Sequence, residues 1–254
     1  MIYNKNMNKE SKYKLKLFQK IYDESSNIVF FGGAGVSTES GIPDFRSIDG
    51  LYYQQWKYPP ETILSHSFFE ENTQEFYRFY RKKLIYPEAK PNSTHKILFQ
   101  MEEKGKLKAI VTQNIDGLHQ MAGSKNVLEL HGSVLRNYCT KCHKFYTEKK
   151  IIESEIEEDG LPLCDCGGLI KPDVVLYQEG LDDFVVESAI NAIRNADTLI
   201  IGGTSLVVYP AASFIDYFHG KNLILINKSE TIADSRGNLV FHESLGEVFE
   251  SLHL

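Results

Sequence analysis

Six short β-branched runs that alternate with helical periodicities, a glycine-rich turn straight after the first run, and two stretches that interrupt the alternation predict an α/β fold. The expected architecture is a doubly wound parallel sheet carrying a smaller inserted lobe. The runs are Asn27 to Phe31, Leu107 to Thr112, Val127 to Leu130, Asp173 to Tyr177, Thr198 to Ile201 and Leu223 to Ile226. Each is nearly continuous in apolar residues, as strands covered on both faces must be. Helical spacing separates them. Leu17 and Ile21 mark a helix over Lys14 to Asp23, and Ile97, Leu98 and Met101 mark another over Ser93 to Lys104. Val185 to Asn195 and Tyr209 to Phe218 are expected as further helices by the same spacing.

The interruptions lie at about 48–87 and 136–170. The first is rich in aromatic and polar residues, including the helical text QEFYRFYRKK; the second holds all four cysteines and the acidic run EKKIIESEIEEDG. The expected division is therefore a discontinuous nucleotide-binding domain of 1–47, 88–135 and 171–254, with 48–87 and 136–170 forming a small domain of a helical and a metal-binding module. The acidic run reads as a solvated helix face.

The chain has 254 residues, 42% apolar and 24% charged, an ordinary globular balance with enough length to bury a sizeable core. A formal charge of −6 argues against phosphate-backbone binding, which needs a basic face. The longest apolar stretches, such as Ile28 to Phe31 and Thr198 to Ile201, are strand-length and too short to span a bilayer. The basic start is followed by no apolar run of signal-peptide length. The expectations are thus a cytoplasmic protein, a monomer, with neither nucleic acid nor membrane as partner.

The segment NIVFFGGAGVSTESGIPDFR runs from strand into turn at Gly32, Gly33 and Gly35. Such a turn lets backbone approach a pyrophosphate at a helix N-terminus. Many strand-to-helix turns need glycine for backbone reasons alone, so the turn by itself admits both readings. The continuation departs from a hydride-transferring dinucleotide enzyme: Thr38 takes the third glycine position, and no acidic residue follows at the usual distance to hold a ribose. The chain instead reaches Asp44-Phe45-Arg46, an aromatic and a cation suited to covering a cofactor's reactive end.

Two strand ends carry polar groups. His131 follows Val127 to Leu130, where an α/β sheet binds ligands, and its near-neutral pKa suits a general base. His66, His95, His119 and His143 are also present, so residue type selects none of them, and a structural histidine stays open. Gln113, Asn114, Ile115 and Asp116 follow Leu107 to Thr112. They could bind a carboxamide and ribose hydroxyls, or form an Asx turn over Asn114 to Gly117.

Cys139-x-x-Cys142 and Cys164-x-Cys166 use every cysteine of the chain. Two close pairs suit one tetrahedral Zn²⁺, and four thiolates leave no open position, so the metal is expected to be structural. A reducing compartment disfavours the disulfide alternative.

GAGVSTESGIPDFR, TQNIDGLH at 112–119, ELHGS at 129–133, GTSLVVYPAA at 203–212 and the strand end Ile226-Asn227 are together similar to the motifs of the sirtuin family, its bacterial branch most of all. The match is collinear from about Lys14 to Leu252. The resemblance implies a Rossmann-like NAD-binding domain with a zinc ribbon in the small lobe, and NAD consumed as co-substrate in removing acyl groups from lysines of protein partners. It implies His131 as catalytic base, with Asn114 and Asp116 in the catalytic set. Phe45 and Arg46 would shield the reacting face, Ile115 and Asp116 would hold the carboxamide, and Thr204, Ser205 and Asn227 the ribose and phosphate regions. Gly33, Ala34, Gly35, Thr38, Asp44, Gln113, Gly203 and Leu245 complete the implied cofactor set. Val174, Val175 and Tyr177 would pair with the substrate peptide as an added strand.

Two departures stand out. Cys164-x-Cys166 replaces the family's more common Cys-x-x-Cys, and Tyr177-Gln178-Glu179 replaces Phe-Gly-Glu. Family members that prefer acidic acyl groups resemble a Tyr with Arg three residues on; here Tyr77 is followed at that spacing by Tyr80, with Arg78 and Arg81 out of place. Neutral acyl groups are therefore expected, while the same aromatic stripe also reads as core packing. An ADP-ribose-transferring or NAD-hydrolysing relative would share the loop and His131, and a non-catalytic nucleotide sensor would share the loop alone.

Overall fold

A computed structural model describes residues 9–45, 50–53, 56–156 and 160–254. Helix α1 (Lys9–Glu24) buries Leu15, Phe18, Ile21 and Tyr22, the three- and four-residue spacing of one helix face. Strand β1 (Ile28–Gly32) follows, then α2 (Pro60–Ile63), α3 (His66–Glu71), α4 (Thr73–Lys83) and α5 (Ser93–Glu103) lead to β2 (Leu107–Thr112). Next come α6 (Leu118–Ala122), β3 (Val127–Glu129), β4 (Gly132–Cys139), β5 (Phe145–Tyr146), α7 (Glu148–Glu153) and β6 (Ile170–Val174). The last part is α8 (Asp183–Asn195), β7 (Thr198–Gly202), β8 (Asn222–Ile226), β9 (Leu239–Phe241) and α9 (Leu245–Phe249).

Six strands form one sheet in the order β3-β2-β1-β7-β8-β9, every pair parallel. Counted within the sheet, that is 3-2-1-4-5-6, the order of dinucleotide-binding folds, with the direction of winding reversing between β1 and β7. Strand alternation feeds two cores. Ile28 and Phe30 pack with Phe18 of α1, Leu98 and Met101 of α5 and Phe249 of α9. Val29 and Phe31 face the other way, against Ala189 and Ile193 of α8 and Phe214 and Ile215. Each such side chain removed from water contributes roughly 1.5–3 kcal/mol, which is why continuous apolar runs mark these strands. The sheet is thus doubly wound, as expected.

A second sheet, in the order β5-β4-β6, is antiparallel. It corrects one expected strand. Asp173 to Tyr177 is not part of the parallel sheet: β6 ends at Val174 and pairs with β4, Gly132 opposite Val174 and Cys139 opposite Ile170. The reason is visible in burial, which alternates along β6 instead of running continuously, and in Pro172, which denies one rung its donor. Tyr177 makes a single parallel bridge to Ser65. The expected helix at Tyr209 to Phe218 is a 3₁₀ segment, Ala211–Tyr217. Strand β9, of three residues, was too short to be read.

A third core joins both interrupting stretches. Phe69, Phe76, Tyr77 and Tyr80 of α3 and α4 pack in one cluster with Cys139, Ile151, Cys164 and Ile170. Among the described residues, no helix is long and apolar enough to cross a membrane.

Candidate active site

A cleft of about 910 Å³ opens at the carboxyl ends of β1, β2, β7 and β8, where the winding reverses. Its glycine wall is backbone against backbone. Gly35 N–H donates to the Gly203 carbonyl at 2.8 Å, and Gly33 N–H to that of Gly202 at 3.2 Å. A Cβ on Gly35 would lie 2.7 Å from Gly203 Cα, and one on Gly33 2.8 Å from Thr204 Cβ. Gly203 itself has φ +59°, a conformation that favours glycine. The turn after β1 and the turn after β7 therefore touch because neither bears side chains there. Thr204 Oγ1 accepts from Gln113 Nε2 at 3.1 Å and from Leu206 N–H at 3.2 Å, fixing the ends of β2 and β7 together.

Deeper in the cleft, Ser37 Oγ donates to Asp116 Oδ2 at 2.6 Å and accepts from Asn114 Nδ2 at 3.1 Å. Asp116 Oδ1 accepts the Leu118 N–H that opens α6. Burial raises the Asp116 pKa, while the bonds from Ser37 and Leu118 pull it down. The Asx turn expected over Asn114 to Gly117 forms instead on Asp116: one carboxylate oxygen takes the Leu118 N–H that opens α6 and the other meets Ser37, while the Asn114 amide goes to Ser37.

His131 stands opposite. Its Nδ1 lies 2.9 Å from the Gln113 carbonyl, which can only accept, so Nδ1 carries the hydrogen and Nε2 keeps its lone pair. Burial lowers its pKa, which favours the neutral ring, and the bond to Gln113 opposes that shift. Its own carbonyl accepts from Val175 N–H at 3.1 Å, tying His131 to the residues after β6. Gly132 must follow it, since a Cβ there would come within 2.0 Å of the Asp173 carbonyl.

The cleft is lined by Gly33, Ala34, Gly35, Thr38, Asp44, Phe45, Gln113, Asn114, Ile115, Asp116, His131, Gly203, Thr204, Ser205, Asn227 and Leu245, and by Val174, Val175 and Tyr177. Arg46 lies outside the described residues. Ser37, Glu179 and Gln178 also line it and were not singled out as site residues. Ser37 could have been read as the hydroxyl inside the glycine turn, one residue before Thr38. Glu179 was hidden, because its partner His66 lies 113 positions away in sequence.

The four cysteines come together. Their Sγ atoms all lie within 4.8 Å of one another, with Cys139–Cys166 at 3.5 Å and Cys142–Cys164 at 3.6 Å. A tetrahedral Zn²⁺ with bonds near 2.3 Å requires sulfurs about 3.8 Å apart, so the cage fits. Backbone N–H groups of Lys141 and Cys142 point at Cys139 Sγ. The Cys166 N–H, followed by Tyr146 Oη, lowers the Cys164 thiol to about 6, the ligand-competent thiolate direction. Gly167, at φ +76°, makes the tight second knuckle that the shorter Cys-x-Cys spacing needs.

The Sir2 family profile matches residues 33–210. The NAD-dependent protein deacetylase of Clostridium perfringens is 64% identical over 239 residues, covering 92% of this chain and 96% of that protein. Its counterpart in Clostridium acetobutylicum is 59% identical over 242 residues, 94% and 98% of the two chains. Among solved structures, a Sir2–p53 peptide–NAD+ complex superposes with a TM-score of 0.82 at 41% identity, covering 93% of this chain and 95% of that one. A Sir2 bound to acetylated peptide gives a TM-score of 0.83 at 40% identity, with 93% and 95% covered. The chain belongs to the Sir2 family.

Proposed function

We propose that the chain is an NAD-dependent protein-lysine deacylase. The observation that carries the reading is His131, its Nδ1 held by the Gln113 carbonyl so that Nε2 is left as the acceptor, in one cleft with the glycine wall and with Val174, Val175 and Tyr177. NAD, consumed in the reaction, supplies the ADP-ribosyl group that accepts the acyl, so that with one water the products are nicotinamide, free lysine and 2′-O-acyl-ADP-ribose. The glycine turns admit the pyrophosphate, Thr204, Ser205 and Asn227 hold the ribose and phosphate regions, and Leu245 lines the cofactor side with them. Asp116 and Ile115 hold the carboxamide, with Ser37 and Asn114 fixing the carboxylate. Phe45, half-buried against the aromatic core, keeps water from the reacting carbon. His131 Nε2 takes the proton of a ribose hydroxyl as that oxygen attacks the acyl carbon. Val174, Val175 and Tyr177 align the peptide. The thiolate cage holds a structural Zn²⁺ that orders the β4-β5-β6 sheet.

The substrates are acylated-lysine proteins, and the acyl group is neutral. Arg81 Nη1 is engaged by Ser154 Oγ and the Gly160 carbonyl, and Arg78 by Glu75, so neither guanidinium is directed into the cleft. Tyr77 and Tyr80 are fully buried in the aromatic core. The division proposed is 1–47, 88–135 and 171–254 as the nucleotide-binding domain and 48–87 with 136–170 as the small domain; the third core supports joining the latter two, with Val134, Val174 and Leu176 as shared edge. A cytoplasmic compartment suits four reduced thiols. Mass spectrometry of acetyl- and succinyl-lysine peptides incubated with and without NAD tests all of this. The acetyl peptide should lose its acyl group only with NAD; NAD loss with the peptide unchanged would indicate a hydrolase, and a strong succinyl preference would implicate Lys83, the α4 cation that lines the cleft.

A further inference from the structure

The segment that follows β6 ends in a turn whose third residue is in a conformation its type disfavours. Glu179 N–H closes on the Leu176 carbonyl at 3.0 Å, and Gln178, between them, has φ +77°. Glycine is the usual occupant of that place in a type II turn, because a Cβ there crowds the backbone. Gln178 carries one, so something must hold it.

The holder is the start of α3. Ser67 N–H donates to Gln178 Oε1 at 3.0 Å. Ser67 is the second residue of that helix, and its N–H is one of the first-turn donors that have no acceptor within the helix. The flanking residues are fastened to the same place. Tyr177 N–H donates to the Leu64 carbonyl and His66 N–H to the Tyr177 carbonyl, both at 2.9 Å. His66 Nδ1 donates to Glu179 Oε1 at 2.9 Å. Glycine here would relax the turn and lose the side-chain anchor together. Strained backbone persists where surrounding contacts over-determine it, commonly at ligand clamps. The facing wall shows the same device: Leu206, beside Ser205, has φ +54° and is held by Thr204 Oγ1.

We infer that Gln178 is a positioning residue for the acylated peptide: its carboxamide, anchored on Ser67, keeps the turn after Tyr177 in place so that the cleft edge from Val174 to Tyr177 meets the peptide already ordered. The inference rests on the deacylase reading and adds to it the residue that sets peptide affinity without belonging to the chemistry. A pre-ordered edge costs less entropy to bind than one that must settle around each substrate.

The test uses the full chain with Q178G, Q178A and Q178E. Steady-state kinetics vary an acetyl-lysine peptide at saturating NAD and NAD at saturating peptide, while hydrogen exchange is followed over 64–71 and 174–179. Q178G should raise the peptide KM by roughly three- to tenfold, the worth of one lost anchoring bond. The effect should spare kcat and the KM for NAD, and exchange should quicken in both segments. Q178A, which keeps the disfavoured φ without the anchor, should match that KM and melt lower. Q178E, whose carboxylate can accept the same N–H, should restore most of the affinity. Q178G with wild-type peptide KM and exchange would overturn the inference, as would Q178E behaving like Q178G; either leaves the deacylase reading standing. A wild-type protein that turns over no acylated peptide would remove that reading, and the positioning role with it.

Discussion

The two walls of the cleft are built from different materials. On the cofactor side, backbone meets backbone: the turns after β1 and β7 touch through Gly33, Gly35 and Gly203, with no room for a Cβ. On the peptide side, order comes from side chains, namely the aromatic cluster of α3 and α4, four thiolates, and Arg136 bridging Glu129 and Asp173. The first wall is a property of the sheet's winding and should survive whatever happens to the second. The second wall depends on a metal and on packing that the sheet does not supply.

Metal removal should break the contrast open most widely. Structural zinc in a four-thiolate cage is worth on the order of 10 kcal/mol of folding free energy. Chelation, or Cys164→Ser, should therefore unfold the β4-β5-β6 sheet and abolish peptide turnover. Hydrogen exchange should show β1, β2, β7 and β8 still protected. Simultaneous loss of protection in both sheets would mean that the walls share one cooperative unit.

His131→Ala touches the seam between the walls. If His131 is the base, as proposed, the substitution removes it while leaving Gln113 and the glycine contacts in place, and kcat for an acetylated peptide should fall by roughly 10²- to 10⁴-fold. NAD affinity, measured by calorimetry, should change little. A comparable fall in NAD affinity would make His131 a cofactor-wall residue and move the seam.

Glycine-to-alanine substitutions sharpen the comparison at smaller scale. Gly203 and Gly167 have φ values of +59° and +76°, one on each wall. A Cβ on Gly203 would lie 2.4 Å from Val36 N, whereas nothing lies within 4 Å of one on Gly167. Gly167→Ala should cost only the left-handed conformation, about 1–2 kcal/mol. Gly203→Ala adds overpacking of about 1–3 kcal/mol and should weaken NAD binding as well. Urea unfolding of the zinc-loaded protein would order them, and equal costs would show that the turn after β7 can give way.

The same division governs what could be read from the sequence. Strands β1, β2, β7 and β8 were legible because both faces are covered, which writes a continuous apolar run into each. The polar residues at their ends were legible because ligands of an α/β sheet bind there. Asp173 to Tyr177 looked like one more such run, yet Val174 and Leu176 belong to the aromatic core and Tyr177 is exposed. A half-covered strand next to a metal knuckle carries little of its partner's identity in its own residues. The pairing of Ser37 with Asp116 spans 79 positions, and the anchor of Gln178 on Ser67 spans 111, so neither has a local signature. The four cysteines were read because chelation demands short spacings.

Acid should act first on the cofactor side. His95 and His119 are buried under β1, their rings 4.7 Å apart and His119 6.2 Å from Phe30. Burial pushes His95 down to about 4 and His119 well below its ordinary value. In the unfolded chain both titrate near 6.5. Below that pH the unfolded state binds protons that the folded state refuses, so stability is complete above about 6.5 and declines as pH falls. Each histidine's cost approaches roughly 1.4 kcal/mol per pH unit well below 6.5, and from pH 6.5 to 5.5 the pair together loses about 2 kcal/mol. The loss has a local consequence. His95 is the capping partner of Asn92, whose Nδ2 donates to the Val36 carbonyl at 2.8 Å and to Ser40 Oγ at 3.0 Å, holding the segment after the glycine turn. Urea midpoints should hold from pH 7.5 to about 6.5 and fall from there to 5.5, and His119→Gln should halve that fall. On the peptide side, the bond to Glu179 raises the pKa of exposed His66, so protonation there strengthens a contact while it weakens the buried pair. A midpoint that stays flat to pH 5.5 would mean that water reaches His95 and His119, and the sheet side would then be the more yielding wall.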